Sequence, residues 1–344
     1  MSNKMVYVVL LNWHGWQDTI ACLTSLLASS DINLRVVVCD NASNDSSLEH
    51  ISAWAEGLEK AEPQSDSRLA TLFSELQFPL QYTRIDRPTA EQGLPQNTAP
   101  LVLVDNGSNL GFAAGNNVGL RFALNQPDMD YVWLLNNDTL VEPDCLQNMV
   151  RRLESEPGKA VCGSMIHFFD QPEIIQAIGG NRFNRFTGCA DCSEGRFTHE
   201  LAKLDIAAIE SEIDYISGCS ILLPREFLET VGLMSEDYFL YYEEIDWFTR
   251  ADGRYKICIA KDAKLYHREG AAIGSKNWQR PASVLSDFYM FRSRLIYMRK
   301  YSRRFLGLCY GHSWIEVGKR LLRRQFSNAW TVSSVLLGKK SLGD

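Results

Sequence analysis

Three short apolar runs break off at a carboxamide or a carboxylate, and that repetition narrows the folds open to this chain more than any other feature. Residues 6–11 are apolar and β-branched and stop at Asn12-Trp13-His14-Gly15. Residues 35–39 stop at Asp40-Asn41-Ala42-Ser43-Asn44-Asp45, and residues 131–135 at Asn136-Asn137-Asp138-Thr139. Each run has the length of one strand, and apolar side chains on successive residues suit a parallel sheet covered on both faces. Residues 18–27 carry Ile20, Leu23, Leu26 and Leu27 at helical spacing, so the start of the chain reads as the strand–loop–helix alternation of a nucleotide-binding α/β unit. Ligands of such sheets sit outside the carboxyl ends of the strands. An acid placed there can hold Mg²⁺ or Mn²⁺ against a phosphate, because these cations take carboxylate and phosphate oxygens together. Asn and Asp are also ordinary turn and N-cap residues, so any one of these stops is equally a turn after a strand. No GxGxxG and no Walker lysine is present, so neither dinucleotide nor P-loop binding is indicated.

The 344 residues suffice for one large domain, or a domain with an appendage. Nine scattered cysteines show no disulfide framework, so a reducing compartment and a cytoplasmic location are expected. Cys189-Ala-Asp-Cys192 is a lone CxxC, half of what a structural zinc site needs. The first residues run directly into a strand pattern, so no signal peptide is expected, and no apolar run reaches the length of a membrane span. The net charge of −7 is unevenly divided: residues 280–344 hold 13 Lys and Arg against 3 acids, while the rest holds 22 against 39. A basic tail on an acidic body suits an anionic surface, lipid or nucleic acid, or is simply a solvated basic helix.

Between residues 57 and 100 the alternation breaks. Five of the eleven prolines fall there, and the stretch reads as a surface insertion that leaves the sheet intact, with a short helix over 68–76. The strand pattern resumes at 101–104. Asn109-Leu-Gly-Phe-Ala-Ala-Gly-Asn-Asn-Val-Gly119 reads as a loop whose backbone can approach a ligand closely, followed by a helix to Leu124. Further strands are expected at 160–166, at 213–223 with an interruption at Gly218, and at 255–260; helices are expected up to Leu153 and over 224–231. The segment 179–197, rich in Gly, Arg and Asn, is placed on the acceptor side. His167 and His199 stand alone, as ordinary surface or core histidines do. Glu243-Glu244-Ile245-Asp246 opens a helix, where acids favour the dipole, yet a carboxylate is also what takes a proton from an attacking hydroxyl. On one helix Glu243 and Glu244 diverge and cannot serve the same oxygen. From residue 281 aromatic and aliphatic residues interleave with arginines, the pattern either of a helix lying on a membrane or of core packing with snorkelling arginines.

Taken in order, Asn12-Trp13, Asp40-Asn-Ala-Ser, the glycine and asparagine stretch from Asn109, Leu134-Leu-Asn-Asn-Asp-Thr139, Tyr215-Ile-Ser-Gly-Cys-Ser-Ile-Leu-Leu223, Phe239-Leu-Tyr-Tyr-Glu-Glu-Ile-Asp-Trp247 and His267 resemble family 2 glycosyltransferases of the GT-A fold. The rhamnosyltransferase-like branch is the nearest match. The resemblance implies an α/β GT-A domain over residues 1–280, a mostly parallel nucleotide-binding sheet flanked by helices, and a basic helical region over 281–344. It implies donor contacts from Asn12, Asp40, Asn41, Gly111, Asn116, Asn117, Asn137 and Asp138, with Asp40 on the base. Asp138 would be the metal-holding acid of a DxD-type motif whose first position here is Asn136, and His267 would complete a site for Mg²⁺ or Mn²⁺. Arg268 and Lys276 could neutralise phosphate nearby. Glu244 falls where the family places its catalytic base, one methylene longer than the usual Asp, and Asp246 is the second choice.

The expected reaction is a metal-dependent, inverting transfer from a nucleoside-diphosphate sugar to a growing surface glycan on a lipid carrier. The branch implies dTDP-L-rhamnose as donor. No nucleic-acid partner is expected, and the basic C-terminus is a candidate for peripheral contact with the inner face of a membrane. The rival is a sugar-nucleotide-binding partner of an assembly complex without turnover, which the departures at Asn136 and Glu244 keep open.

Overall fold

The three interrupted runs lie side by side at the centre of one sheet. The computed structural model describes residues 4–28, 33–62, 66–73, 76–94, 99–192, 204–268 and 282–341. The chain begins β1 (Met5–Asn12), α1 (Trp16–Leu27), β2 (Asn33–Asp40), α2 (Ser47–Ala55), α3 (Ser67–Ala70), β3 (Tyr82–Asp86), α4 (Arg87–Gln92) and β4 (Leu101–Asp105). It continues α5 (Gly111–Leu124), β5 (Tyr131–Asn136), β6 (Thr139–Val141), α6 (Cys145–Glu154), β7 (Ala160–Phe168), β8 (Ile175–Ile178), β9 (Gly180–Asn184) and β10 (Cys189–Cys192). Then come α7 (Ile206–Glu212), β11 (Tyr215–Ile216), β12 (Ser220–Pro224), α8 (Arg225–Val231), α9 (Glu243–Ala251) and β13 (Lys256–His267). The last helices are α10 (Val284–Tyr301), α11 (Leu306–Leu322) and α12 (Phe326–Leu336).

Among the described residues the main sheet runs β3-β4-β2-β1-β5-β12-β7-β13-β6, with β8 beside β7. From β3 to β5 every pairing is parallel, and β12 is antiparallel to both its neighbours. Strand order reverses at β1, with β2 on one side and β5 on the other, so a crevice opens at the carboxyl ends of these three strands. Register decides what meets there: Asn12 is level with Asp40, and Leu11 with Asn136.

Alternate residues of each strand enter separate cores. Val6, Val8 and Leu10 pack with Ile20, Leu23 and Leu26 of α1 and Met149 of α6. Tyr7 and Val9 face Val118 and Phe122 of α5 on the other side. Both faces are covered, which is why these strands read as continuous apolar runs.

Two readings change. The stretch 57–100 is more than surface loop, because β3 joins the sheet as a parallel edge strand in register with β4. Its Tyr-Thr-Arg-Ile-Asp sequence mixes charge into the strand, as an edge facing solvent allows, and so lacks the apolar signature of the central strands. The expected helix over 68–76 shrinks to α3, capped by Asp66, whose carboxylate accepts from the Arg68 amide. The second change is that the glycine-rich stretch is helical from Gly111 onward. Its glycines serve packing: a Cβ at Gly115 would lie 2.7 Å from Asn41 Oδ1 and Leu11 Cδ1, and one at Gly119 would lie 2.7 Å from Val9.

Gly111 itself has φ +79° and would place a Cβ 2.3 Å from the Phe239 carbonyl. Gly111→Ala is therefore expected to cost about 2–4 kcal/mol in denaturant unfolding. Gly107, with φ +70° but open space around it, separates strain from clash: Gly107→Ala should cost about 1 kcal/mol. Equal losses at both positions would show that the Phe239 contact is not what requires glycine.

The C-terminal region is helical as expected, but α10 is core. Phe288, Phe291, Leu295 and Met298 are buried in the same cluster as Val9 and Trp247, and Arg294 is buried with them. Each such apolar side chain contributes roughly 1.5–3 kcal/mol by leaving water. Of the two readings of residues 288–301, packing is the one realised.

Candidate active site

At the crevice, the ends of β1 and β2 form a closed polar corner. Asn12 Nδ2 donates to Asp40 Oδ1 at 2.6 Å, and Thr19 Oγ1 donates to Asn12 Oδ1 at 2.9 Å. Asp40 also accepts from the Ser43 amide at 2.9 Å and the Ser43 hydroxyl at 2.7 Å. Asn12, Asp40 and Asn41 are all buried. Asp40, expected on the nucleotide base, thus has its oxygens occupied in shaping the 40–43 turn. Asn41 donates to the Gly111 carbonyl at 3.0 Å and accepts from Asn106 at 2.8 Å, joining this corner to the start of α5. Asn137 closes the far side, its Nδ2 donating to Thr19 Oγ1 at 2.9 Å.

The other two asparagines lead away from the corner. Asn116 donates to the Phe112 carbonyl one turn back, at 3.0 Å. Asn117 is fully buried, donating to the Met234 carbonyl and accepting from the Met234 amide. Both are fastenings of α5, the second holding the segment before α9.

The Asn136-Asn137-Asp138 turn meets β13, since β6 pairs antiparallel with residues 265–267. Asp138 Oδ1 lies 3.2 Å from His267 Nε2, and Asn136 Nδ2 lies 3.4 Å from the same nitrogen. His267 Nδ1 donates to Gln176 Oε1 at 3.1 Å, which fixes the ring and leaves Nε2 pointing at the carboxylate. Burial works against a charged His267, but Cys219 and Asp138 beside it outweigh burial and lift its pKa well above the usual histidine range. Burial likewise pushes Asp138 up, and the attraction of His267 and Arg268 more than reverses this, leaving its pKa below the ordinary value. Two neighbouring ligands of an octahedral ion at roughly 2.1 Å stand about 3.0 Å apart, so the pair fits one edge of a Mg²⁺ or Mn²⁺ shell once His267 gives up its proton. Among the described residues no three His, Cys, Asp or Glu side chains converge. The remaining positions would fall to substrate oxygens and water, as these ions accept. Arg268 lies alongside, its amide donating to the Asp138 carbonyl at 3.0 Å and its guanidinium bound to Asp18 at 2.6 Å over the Phe169 ring.

The third part is α9. Tyr241 and Tyr242, immediately before it, have φ of +65° and +74°. Such geometry costs roughly 1–3 kcal/mol per residue and needs support from its surroundings. That support comes from α10: Ser286 is 2.8 Å from the Tyr241 hydroxyl, Arg294 Nε donates to the Tyr242 hydroxyl at 3.0 Å, and Ser293 donates to the Leu240 carbonyl at 2.8 Å. Held this way, α9 presents Glu244 to the Gly218 backbone, where a Cβ would lie 3.1 Å from Glu244 Oε1. Burial raises the Glu244 pKa, opposed by its own amide and that of Gly218. Its other oxygen has no hydrogen-bond partner among the described residues. Glu243 is more deeply buried, and burial together with repulsion from Glu244 lifts its pKa well above the carboxylate range.

Asp246 is put to a different use. It is fully buried and accepts from Tyr238 at 3.1 Å, Arg250 at 2.7 Å, Lys300 at 2.9 Å and Tyr301 at 2.9 Å. Four donors occupy both oxygens and tie α9 to the end of α10.

The segment 217–219 joins the parts. The Cys219 carbonyl accepts from the Asn136 amide at 2.9 Å, while Gly218 lies against Glu244 and Phe112. The structure therefore brings Asp138, His267 and Glu244 around one short connection, and sets Asn116, Asn117 and Asp246 outside it. Gln176 and Thr19 were not legible as site residues; a single Gln in the otherwise apolar β8 is the faint signal for the first. A cavity of about 950 Å³ lies elsewhere, lined by Phe183, Arg185, Tyr215, Thr249, Tyr297 and Arg303. The segment expected on the acceptor side thus supplies two of its walls. His199, Lys276 and the Cys192 side chain lie outside the described residues; Cys189 Sγ is 3.5 Å from His312 Nδ1.

Residues 91–231 match the family model described as Glycosyl transferase family 2. Among curated proteins the chain is similar to the low-salt glycan biosynthesis hexosyltransferase Agl10 of Haloferax volcanii, 23% identical over 148 residues, 43% of this chain and 45% of that protein. The match thus spans less than half of the relative's length. Among solved structures, GalNAc-T7 with UDP, GalNAc and Mn²⁺ aligns at a TM-score of 0.51 with 13% identity, over 86% of this chain and 51% of that one. The mannosyltransferase PcManGT from Pyrobaculum calidifontis, in complex with GDP-Man and Mn²⁺, aligns at 0.49 with 15% identity, over 98% and 76%. At such identities what GalNAc-T7 shares is the fold, a mixed and mostly parallel GT-A sheet flanked by helices. Sequence match and fold point the same way: residues 91–231 match the family 2 glycosyltransferase model, within a sheet that shares the GT-A fold.

Proposed function

We propose that the protein transfers a sugar from a nucleoside-diphosphate donor to a hydroxyl of a glycan acceptor, with inversion at the anomeric carbon. The observation that carries this reading is that one short connection, 217–219, meets Glu244 at Gly218 and the turn bearing the Asp138–His267 pair at Cys219. Glu244, with one oxygen unpaired among the described residues, takes the proton of the acceptor hydroxyl as the hydroxyl oxygen attacks the anomeric carbon. The glycosidic bond forms while the bond to the diphosphate breaks on the opposite face. Asp138 and His267 would hold a Mg²⁺ or Mn²⁺ ion, which when bound offsets charge on the departing diphosphate. Buried Asn12 and Asn41, with half-buried Asn137, keep the crevice in one shape, so orientation is set before the reactants arrive. A hexosyltransferase of glycan biosynthesis among the relatives, and UDP with Mn²⁺ in a protein of the same fold, support this class of donor and acceptor. The order of the motifs favours dTDP-L-rhamnose as donor and a lipid-linked glycan as acceptor.

The test is a thermal-shift screen of sugar nucleotides with and without Mn²⁺, followed by nucleoside diphosphate release with candidate acceptors. One donor is expected to raise the melting temperature in a cation-dependent way, since it binds the folded state alone. That donor should then be consumed only when an acceptor hydroxyl is present. Tight donor binding with no release for any acceptor would replace the enzyme with a sugar-nucleotide-binding partner of an assembly complex.

A further inference from the structure

The helices α11 and α12 have two apolar faces each, and only one is used within the chain. Inward, Cys309 and Val317 of α11 and Ala329, Val332 and Val335 of α12 are buried. Outward, Leu308, Ile315 and Leu322 recur every seven residues along α11 and are all exposed, Leu322 to 87%. On α12 Phe326, Trp330 and Leu337 repeat at helical spacing, with Trp330 76% exposed. Eight of the twelve exposed large hydrophobic side chains among the described residues lie on these two helices and their ends. Such a concentration marks a contact surface, whereas scattered exposed residues would not.

Charge identifies what the surface meets. Residues 302–341 hold eight Lys and Arg against one acid, Glu316, which Lys319 and Arg320 already bind. Exposed Arg323 and Arg324 stand at the turn between the helices, between Leu322 and Phe326. A two-fold contact between copies through this face would bring the arginines of both copies into one interface. The apolar core of a protein interface is also poor in charge. Aliphatic and Trp side chains interleaved with arginine are the composition of a helix lying in the headgroup layer of an anionic bilayer. Among the described residues no helix is long and apolar enough to cross a membrane. We infer that α11 and α12 form a docking face that lies on an anionic lipid surface.

The hairpin is fixed firmly enough to hold the whole domain there. Asp287 of α10, buried, accepts from two of the three Arg320 guanidinium nitrogens at 2.6 and 2.8 Å and from Asn328 of α12 at 2.7 Å. The inference stands on exposure and charge and does not depend on sugar transfer.

Flotation of the full chain with phosphatidylcholine vesicles, with and without phosphatidylglycerol, tests it. Binding is expected to vesicles containing phosphatidylglycerol, to weaken at high salt, and to shift Trp emission to the blue. The pair Ile315→Glu and Leu322→Glu should weaken it about tenfold or more, and the pair Arg323→Glu and Arg324→Glu should remove the preference for the anionic lipid. Trp330→Ser gives the same reading should the glutamate pair lower the melting temperature. Phosphatidylglycerol binding unaffected by all of these, or no vesicle binding by the native chain, would overturn the inference. So would a dimer in sedimentation that Leu322→Glu splits without any lipid effect, since the face would then belong to a second copy.

Discussion

Glu244→Gln is expected to lower sugar transfer by about a hundred- to ten-thousandfold while leaving donor affinity nearly unchanged, the usual cost of losing a general base. The substitution keeps size and hydrogen bonding at Gly218 and removes the group that accepts the proton. The neighbouring acids are the controls. Glu243 is buried, and burial with repulsion from Glu244 raises its pKa and favours its protonated form, so its neutral isostere Glu243→Gln should cost little. Asp246 accepts from four donors, so Asp246→Asn should lower the melting temperature by loosening α9 from α10. Transfer depends on pH with a definite sign. A base works deprotonated, and the Glu244 pKa is raised by burial, so transfer should rise with pH along a limb displaced above the ordinary carboxylate value. Glu244→Asp tests reach: near-native transfer means the acceptor can approach by the missing methylene. Normal turnover by Glu244→Gln together with an inactive but folded Asp246→Asn would move the base to Asp246.

Asp138→Ala is expected to abolish cation-dependent donor binding, by more than about a hundredfold, with the fold retained. Asp138 sits in a turn between β5 and β6, and its side chain contacts His267 rather than the core. Isothermal titration with Mn²⁺ and the donor found in the screen reads the loss directly. Gln176→Leu should weaken cation binding by about 10–100-fold, because it frees the His267 ring to rotate without removing a ligand. Should Asp138→Ala bind donor and Mn²⁺ as the native chain does, the cation lies elsewhere and the turn is structural.

What the sequence by itself determined is the frame. Runs such as Val6-Tyr-Val-Val-Leu-Leu11 bury both faces, a property of composition that needs no knowledge of neighbours. The stops at Asn12, Asp40 and Asn136 then placed polar groups at the carboxyl ends of strands, and parallel register drew them into one crevice. The start of α9 at Glu243 and the run of helices after residue 281 were legible for the same local reason. Tertiary structure decided the partners. Asn117 and Asp246 look like site residues in the sequence, yet each is consumed by groups brought from far along the chain, Met234 for one and Lys300 and Tyr301 for the other. Gln176 became a support of the His267 ring because β8 lies against β7, a pairing no local pattern encodes. The glycines of α5 looked like a loop because the demand on them comes from Val9, Leu11 and Phe239 across the helix. In α10, α11 and α12 the interleaving of arginine with apolar residues was visible, but which apolar face is buried and which meets solvent follows from packing against the body. A side chain's type is local, whereas its hydrogen-bond partner and its exposure are properties of the whole fold.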